Sequence, residues 1–171
     1  MSRATANLLL LAAAAIWGAA FVPQTTAMRV LSPAWFLVLR FAVSLVILAP
    51  LVLRESRRAA GPIPPRHLAL MGLIGVVFVA GNLFQQLGLL TTSVANAGFL
   101  TSLYILFTPF VAMALTHERP GPAVWPAAAM GLGGAWLLSG GLSGGFVIGD
   151  LLVTLGAIGW AVQIVLIGIV L

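Results

Sequence analysis

The stretch that decides the fold is GNLFQQLGLLTTSVANAGFLTSLYILFTPFVAMALTHERP, which runs from Gly81 to Pro120. It contains the second half of one apolar run, Leu68–Leu90, and the whole of another, Ala95–Thr116. Neither run carries a charge, and each is close to the roughly 20 residues that a membrane-spanning helix needs. Only residues 91–94 separate the two runs, a length that suits antiparallel helices. The stretch therefore predicts a helical hairpin that crosses a membrane twice.

Both helices of this hairpin carry polar side chains deep within apolar sequence: Asn82, Gln85 and Gln86 in the first, and Asn96, Thr101, Ser102, Tyr104 and Thr108 in the second. A polar group in hydrocarbon costs free energy unless it is paired, so these side chains should face protein or a water-filled cavity. Asn82 and Gln86 lie one turn apart and share a helix face. We interpret the set as one wall of a polar pathway. The alternative is hydrogen bonding that only holds the helices together.

Composition places the whole chain in a membrane. It has 171 residues, of which 61% are hydrophobic and 6% charged, and a mean hydropathy of +1.16. A soluble domain would carry about 25% charged residues. The sequence has no cysteine, which excludes disulfides, thiol catalysis and cysteine-ligated metals.

Four further apolar runs flank the hairpin, at residues 7–28, 34–53, 123–138 and 150–171. Together the runs predict an all-α integral membrane protein, a bundle of about six transmembrane helices. In the run at 123–138, Ala127, Gly131 and Ala135 recur every four residues and favour close helix packing.

Two residues in the first and second runs are further candidates for the pathway. Gln24 follows Pro23, which removes a helical hydrogen bond, and it is interpreted either as part of a bent helix end or as a group that faces substrate. Arg40 lies about 10 Å along the second helix from Pro33, at 1.5 Å per residue. Its long side chain could reach the membrane surface or project into a polar cavity.

The arginines predict the orientation of the chain. With the N-terminus in the cytoplasm, six arginines fall inside: Arg3, Arg54, Arg57, Arg58, Arg66 and Arg119. Arg29 then falls outside, and the reverse topology would break the positive-inside rule. We therefore expect a multi-pass protein of the cell (plasma or inner) membrane, with a cytoplasmic boundary at His117, Glu118 and Arg119.

The last apolar run repeats the first. A shift of 143 residues sets Asn7 over Asp150 and Trp17 over Trp160. Trp17, Trp160 and Gln163, which lie on these two helices, are further candidates for the pathway. An odd number of spans in each unit would turn the second copy upside down in the membrane. We expect a first unit at 1–141 and the truncated start of a second at 142–171. Such a half should pair with a second copy of the chain or with a missing second half.

The hairpin also resembles a known family. Gln86-x-Gly88-Leu89, the small-residue turn, Ala97-x-Phe99-Leu100-x-x-Leu103, Pro109-Phe110 and Glu118-Arg119 are similar to the third and fourth helices of EamA-type transporters, in the drug/metabolite transporter superfamily. The resemblance implies two inverted five-helix repeats, of which this chain covers the first and the opening of the second. It also implies a secondary exporter of small metabolites, amino acids or drugs.

Other functions are less consistent with the sequence. A phosphate-binding Gly-x-x-x-x-Gly-Lys motif is absent, and His117-Glu118 is not followed by the second histidine that a zinc protease needs. We expect no enzyme activity, no cofactor, no metal and no nucleic-acid partner. The expected partners are the lipid bilayer and a small-molecule substrate. The alternative function is a helical membrane scaffold that does not transport, or a half-size subunit that acts only as an oligomer.

Overall fold

The computed structural model describes residues 2–58, 61, 63–117, 119–139 and 147–170. In these residues the regular secondary structure consists of helices. In chain order they are α1 (Arg3–Ala27), α2 (Pro33–Ser56), α3 (Pro65–Gly88), α4 (Val94–Ser102), α5 (Tyr104–Thr116), α6 (Val124–Ser139) and α7 (Ile148–Val170). The all-α membrane bundle predicted from the sequence is confirmed. The boundary predicted between residues 141 and 142 lies outside the described residues, as does Glu118.

Within the described ranges, five helical stretches are long and apolar enough to cross a membrane: α1, α2, α3, α4 together with α5, and α7. They match five of the six predicted spans. The remaining predicted span corresponds to α6, whose 16 residues make about 24 Å of helix. The described residues stop at Ser139, so this length is that of the described part of α6 alone.

Serine side chains set where three helices begin. The Oγ atom of Ser93 accepts a hydrogen bond from the backbone N–H of Asn96 at 3.1 Å, which starts α4 directly after the hairpin turn. Ser2 and Ser32 cap α1 and α2 in the same way, and Pro33 occupies the first turn of α2. Each serine satisfies an N–H group that would otherwise lack a partner.

The second helix of the hairpin is not continuous, contrary to the expectation from its apolar sequence. It divides at Leu103 into α4 and α5. The hydroxyl of Ser102 donates to the carbonyl of Phe99 at 2.6 Å, which is the acceptor that the Leu103 N–H would use in an α-helix. The Leu103 N–H instead donates to the carbonyl of Leu100 at 3.2 Å. The local bond tightens this turn and separates the two helices.

Helix α1 continues through Pro23 without interruption. The hydroxyls of Thr25 and Thr26 both donate to the carbonyl of Val22, at 2.9 and 3.1 Å. These local bonds give the polar residues near the end of α1 partners within their own helix. Gln24, which directly precedes these two threonines, is buried in the bundle.

The closest helix packing joins α3 to α7 at two pairs of glycines. A methyl group added at Gly88 would lie 2.5 Å from Cγ2 of Val153 and 2.7 Å from the backbone oxygen of Gly149. Seven residues earlier on α3, the backbone oxygen of Gly81 would lie 2.8 Å from a methyl group added at Gly156. Both separations are too short for any side chain, so glycine is what lets the two backbones meet.

Contacts at both ends show that α7 runs antiparallel to α3. Gly88, at the end of α3, meets Gly149, near the start of α7. At the opposite end, Arg66 borders the same small cavity as Ile169. This direction is the one expected for α7 from its place in the chain.

The first helix runs parallel to α3, because two of its residues contact the bundle in the same order. Trp17 meets Trp160, whose indole lies against Gly81. One to two turns further along both helices, Gln24 bonds to Gln86. Helices α1 and α7 therefore run in opposite directions, as their interpretation as inverted copies requires. The division into two units stays a prediction.

Within the described part of the chain, the small-residue face predicted on α6 is only partly covered, and Ala135 is its half-buried member. Ala127 and Gly131 are exposed, whereas the neighbouring Ala128 is buried. Contact with the hairpin instead involves aromatic rings, with Phe99 and Trp136 5.2 Å apart between centroids. The contact between α6 and α4 therefore includes an aromatic pair that the small-residue pattern did not predict.

Substitution at Gly88 tests the packing of α3 on α7. We expect Gly88→Ala to reduce the free energy of unfolding by about 1–3 kcal/mol, because the added methyl group must push two backbones apart. Gly75→Ala is the matched control: it lies on the same helix, and an added methyl group there meets nothing within 4 Å. Thermal or denaturant unfolding of the purified protein in detergent measures both. Equal stability of the two variants would contradict the packing described here.

Candidate functional site

Three amide side chains near the end of α3 point into the bundle rather than toward lipid. Asn82 is 1% exposed, Gln86 is 0% exposed, and Gln85 is also buried. Around them lie buried polar residues from other helices, Gln24 on α1 and Asn96 with Thr101 on α4. We call these six residues the amide layer: Gln24, Asn82, Gln85, Gln86, Asn96 and Thr101.

Hydrogen bonds in the amide layer connect α3 to two neighbouring helices. Nε2 of Gln86 donates to Oε1 of Gln24 on α1 at 2.5 Å. Nε2 of Gln85 donates to the hydroxyl of Thr101 on α4 at 2.9 Å. Asn82 differs, because its Nδ2 donates to the carbonyl of Phe78 in its own helix at 2.8 Å. The layer therefore holds α1 and α4 against the same end of α3.

The hydrogen-bonding capacity of the layer is only partly used. Among the described residues, Oε1 of Gln86 and Oδ1 of Asn96 are buried without a hydrogen-bond donor. The indole Nε1 of Trp160 is also buried without an acceptor, and it lies against Gly81. Each unpaired buried polar atom costs about 1–3 kcal/mol, so these atoms would gain from a ligand, from water or from a helix movement.

Next to the amide layer is a cavity of about 210 Å³ between α1, the hairpin and α7. Aromatic rings form much of its wall. The ring centroid of Trp160 lies 4.8 Å from that of Trp17 and 6.3 Å from that of Tyr104. The hydroxyl-bearing Thr101 and Ser102 add polar atoms, and the remaining lining residues are Ala14, Gly18, Phe21 and Gly98.

A larger cavity of about 380 Å³ adjoins the first one. Both are lined by Gly18, Phe21 and Gly98, so they are parts of one cleft between α1 and α4. The larger part continues to the start of α4 at Val94, near the hairpin turn. Glycine at positions 18 and 98 removes side chains that would otherwise fill the cleft.

Comparison with known proteins identifies the family of the chain. The model of the EamA-like transporter family matches residues 4–140. The chain belongs to the EamA-like transporter family.

A relative of this EamA-family chain is a protein of Archaeoglobus fulgidus described as an uncharacterized transporter. The two are 27% identical over 167 residues, a segment that covers 98% of this chain and 50% of the relative. The chain thus spans about half the length of the curated relative it matches. No solved structure matches it. The family resemblance and the multi-pass membrane architecture expected from the sequence are confirmed.

In the structure of this EamA-family chain, the candidate pathway residues fall into three groups. Four of them line the 210 Å³ cavity: Trp17, Thr101, Tyr104 and Trp160. Thr101 belongs also to the amide layer, where it joins the buried amides Gln24, Asn82, Gln85, Gln86 and Asn96. Arg40 on α2 and Gln163 on α7 are partly buried and line neither part of the cleft. The assignment of all these residues to a transport pathway stays a prediction.

The predicted cytoplasmic boundary lies at the end of α5. His117 caps that helix in the left-handed conformation, with a φ of 59°. Arg119 follows it, outside the helices.

Sequence reasoning missed the role of Asp150, which is completely buried. Its Oδ1 atom accepts a hydrogen bond from the hydroxyl of Thr92 at 2.5 Å, and its Oδ2 atom accepts one from the backbone N–H of Val147 at 3.0 Å. Asp150 therefore caps the start of α7 and binds it to the hairpin turn. Two features of the sequence could have indicated this role: Asp150 lies in the first turn of its helix, and it aligns with Asn7 in the repeat.

Proposed function

We propose that this EamA-family chain forms part of the transport pathway of a secondary transporter that exports small polar or amphipathic metabolites. The observation that carries the proposal is the cleft between α1 and α4, with aromatic rings and hydroxyl groups in its wall. Such a wall suits small molecules that combine an apolar part with hydrogen-bonding groups. The amide layer lies beside the part of this cleft nearer the hairpin turn, where it would help to close the pathway.

The transport cycle in this proposal uses alternating access between two inverted repeats. Trp17 on α1 and Trp160 on α7 occupy equivalent positions in oppositely directed helices, and their rings meet in the cavity wall. The length of the relative, of which this segment covers half, supports a second repeat as the partner. That repeat would belong to a longer chain or to another copy, and it would supply the opposite wall of the cleft.

We also propose that the N-terminus is cytoplasmic and that the protein resides in the cell membrane. The arginines at the start of α1 and between α2 and α3 support this orientation. The hairpin turn, next to the amide layer, would then face outward, and the amide layer would form the outer closure of the pathway.

Cysteine labelling tests the orientation, because the chain has no cysteine of its own. Leu90 in the hairpin turn and Ser56 at the end of α2 are both exposed. We expect Leu90→Cys to react with an impermeant maleimide in intact cells and Ser56→Cys to react only after permeabilisation. The opposite pattern would refute the proposed orientation.

Transport by cavity variants tests the function itself. In membrane vesicles from cells that express the protein, we expect uptake or efflux of at least one compound from a panel of labelled amino acids and amphipathic drugs. Trp17→Leu and Tyr104→Leu, both in the wall of the smaller cavity, should each reduce this transport by at least about fivefold, which corresponds to about 1 kcal/mol. The reason is that each removes a contact at the cavity wall while leaving the α3–α7 contact intact.

The control for this experiment is Trp35→Leu. Trp35 lies on α2, is 64% exposed and lines neither part of the cleft. It should leave transport unchanged, and the amount of folded protein should be the same for all three variants. If activity falls only in step with folded protein, the residues are structural and the scaffold function is favoured instead.

A further inference from the structure

Residues 54–66, which join α2 to α3, concentrate the positive charge of the chain, and we call them the basic segment. Four of the chain's eight arginines lie in it: Arg54, Arg57, Arg58 and Arg66. One acid, Glu55, accompanies them, so the segment has a formal net charge of +3, more than half of the +5 of the whole chain. All four arginines are exposed, so an anion can reach them.

A groove of about 540 Å³ is formed by the end of α2 and the basic segment. Half of its six lining residues are apolar and more than half exposed, and the other half are polar or charged. The apolar ones are Leu51, Val52 and Ile63, and the others are Glu55, Ser56 and Arg58. An exposed apolar surface and a guanidinium group therefore meet in one groove.

The groove lies at the depth where a membrane has its lipid head groups. The 24 residues of α2 make about 36 Å of helix, whereas the hydrocarbon core of a bilayer is about 30 Å thick. The ends of α2 therefore reach the head-group region, and Ser56 is its last residue. This argument holds for either orientation of the chain in the membrane.

The charges around the groove favour a ligand with a net negative charge. Glu55 lines the groove and repels an anion, but Arg54, Arg57 and Arg58 all lie within three positions of it along the chain and outweigh its single charge. Arginine binds phosphate through two parallel N–H···O bonds. A cluster of four or more basic residues directly beside a membrane helix is typical of segments that bind anionic lipids.

We infer that this groove binds an anionic phospholipid. The lipid phosphate bonds to the guanidinium group of Arg58, and an acyl chain packs on Leu51, Val52 and Ile63. A nucleic acid would use the arginines and leave the apolar half of the groove exposed, so a lipid fits the whole lining better. The inference goes beyond the proposed function, because α2 contributes no residue to the cleft between α1 and α4.

Fluorescence quenching by labelled lipids tests this inference. Gly61→Cys places an environment-sensitive fluorophore on the basic segment, since the chain has no other cysteine. The protein is reconstituted in phosphatidylcholine vesicles with a small fraction of nitroxide-labelled phosphatidylglycerol or, for comparison, nitroxide-labelled phosphatidylcholine. We expect the anionic lipid to be preferred about fivefold or more at low ionic strength, which is the contribution of one arginine at a membrane surface.

Variants of two arginines show whether the basic segment causes the preference. Arg57→Gln with Arg58→Gln should remove most of it, because the remaining neighbours of the groove, Arg54 and Glu55, cancel each other in charge. Lysine at both positions should keep most of it, because the positive charges stay. Both changes are at exposed positions, where a change of side chain leaves the folded structure intact.

The matched control removes two positive charges elsewhere. Arg3→Gln with Arg29→Gln lowers the net charge of the chain by the same amount and should leave the preference at position 61 unchanged. A fluorophore at position 90, introduced by Leu90→Cys in the hairpin turn, should report a clearly smaller preference, because the turn carries no arginine.

A soluble anion is the other possible source of a phosphate group. Glycerol 3-phosphate, added at the same total phosphate concentration as the labelled lipid, should not displace it, because it has no acyl chain for the apolar half of the groove. Equal quenching by the two lipids, an unchanged preference without Arg57 and Arg58, equal loss in the control variant, or displacement by glycerol 3-phosphate would each overturn the inference. The assay measures no transport, so its failure leaves the proposed function standing.

Discussion

A buried amide in a membrane must find a hydrogen-bond partner, and this requirement determines how the helices around α3 are arranged. Gln86 bonds to Gln24 on α1, and Gln85 bonds to Thr101 on α4. Without these partners each amide would lie unpaired in hydrocarbon. Because both bonds are formed near the end of α3, they hold α1 and α4 at that level and leave the cleft between them. The cleft lies beside these bonds, where Gly18 and Gly98 present no side chain to fill it.

The adjoining face of α3, toward α7, obeys a different constraint, which is the close fit of two backbones. Glycines at positions 81 and 88 allow α7 to approach until the backbones touch. This contact brings Trp160 to the cavity wall, and Asp150 binds the start of α7 to the hairpin turn. A close-packed side and a hydrogen-bonded side thus meet in one helix. In the proposed transport cycle, α3 and α7 would move as one body, while α1 and α4 would change partners. Both of the latter carry irregularities beside their layer residues: Pro23 precedes Gln24, and the break at Leu103 follows Thr101.

Much of this fold follows from the sequence, because the length of an apolar run and the polar residues within it can be read from neighbouring residues alone. The apolar runs predict the long helices, and the family motif agrees with the family match. Other features depend on contacts that no local pattern reveals. Gly81 and Gly88 look like Gly72 and Gly75 in sequence, yet only the first two meet α7. At the break at Leu103, the hydroxyl of Ser102 occupies the carbonyl of Phe99, a contact that the sequence does not reveal. Likewise, the sequence indicates that the polar residues share a region but not which partners they choose. Asn82 bonds within its own helix, whereas Gln86 bonds to α1.

A double-mutant cycle on Gln24 and Gln86 is the most direct test of the claim that buried amides hold the bundle around α3. Free energies of unfolding in detergent are compared for Gln24→Leu, Gln86→Leu and the double variant. We predict a coupling energy of about 0.6 kcal/mol or more, the average for hydrogen bonds between membrane helices. The same cycle on Gln24 and Gln85, which bonds to Thr101 instead, should be additive within about 0.3–0.5 kcal/mol. Additive effects in the first cycle, or equal coupling in both, would contradict the account.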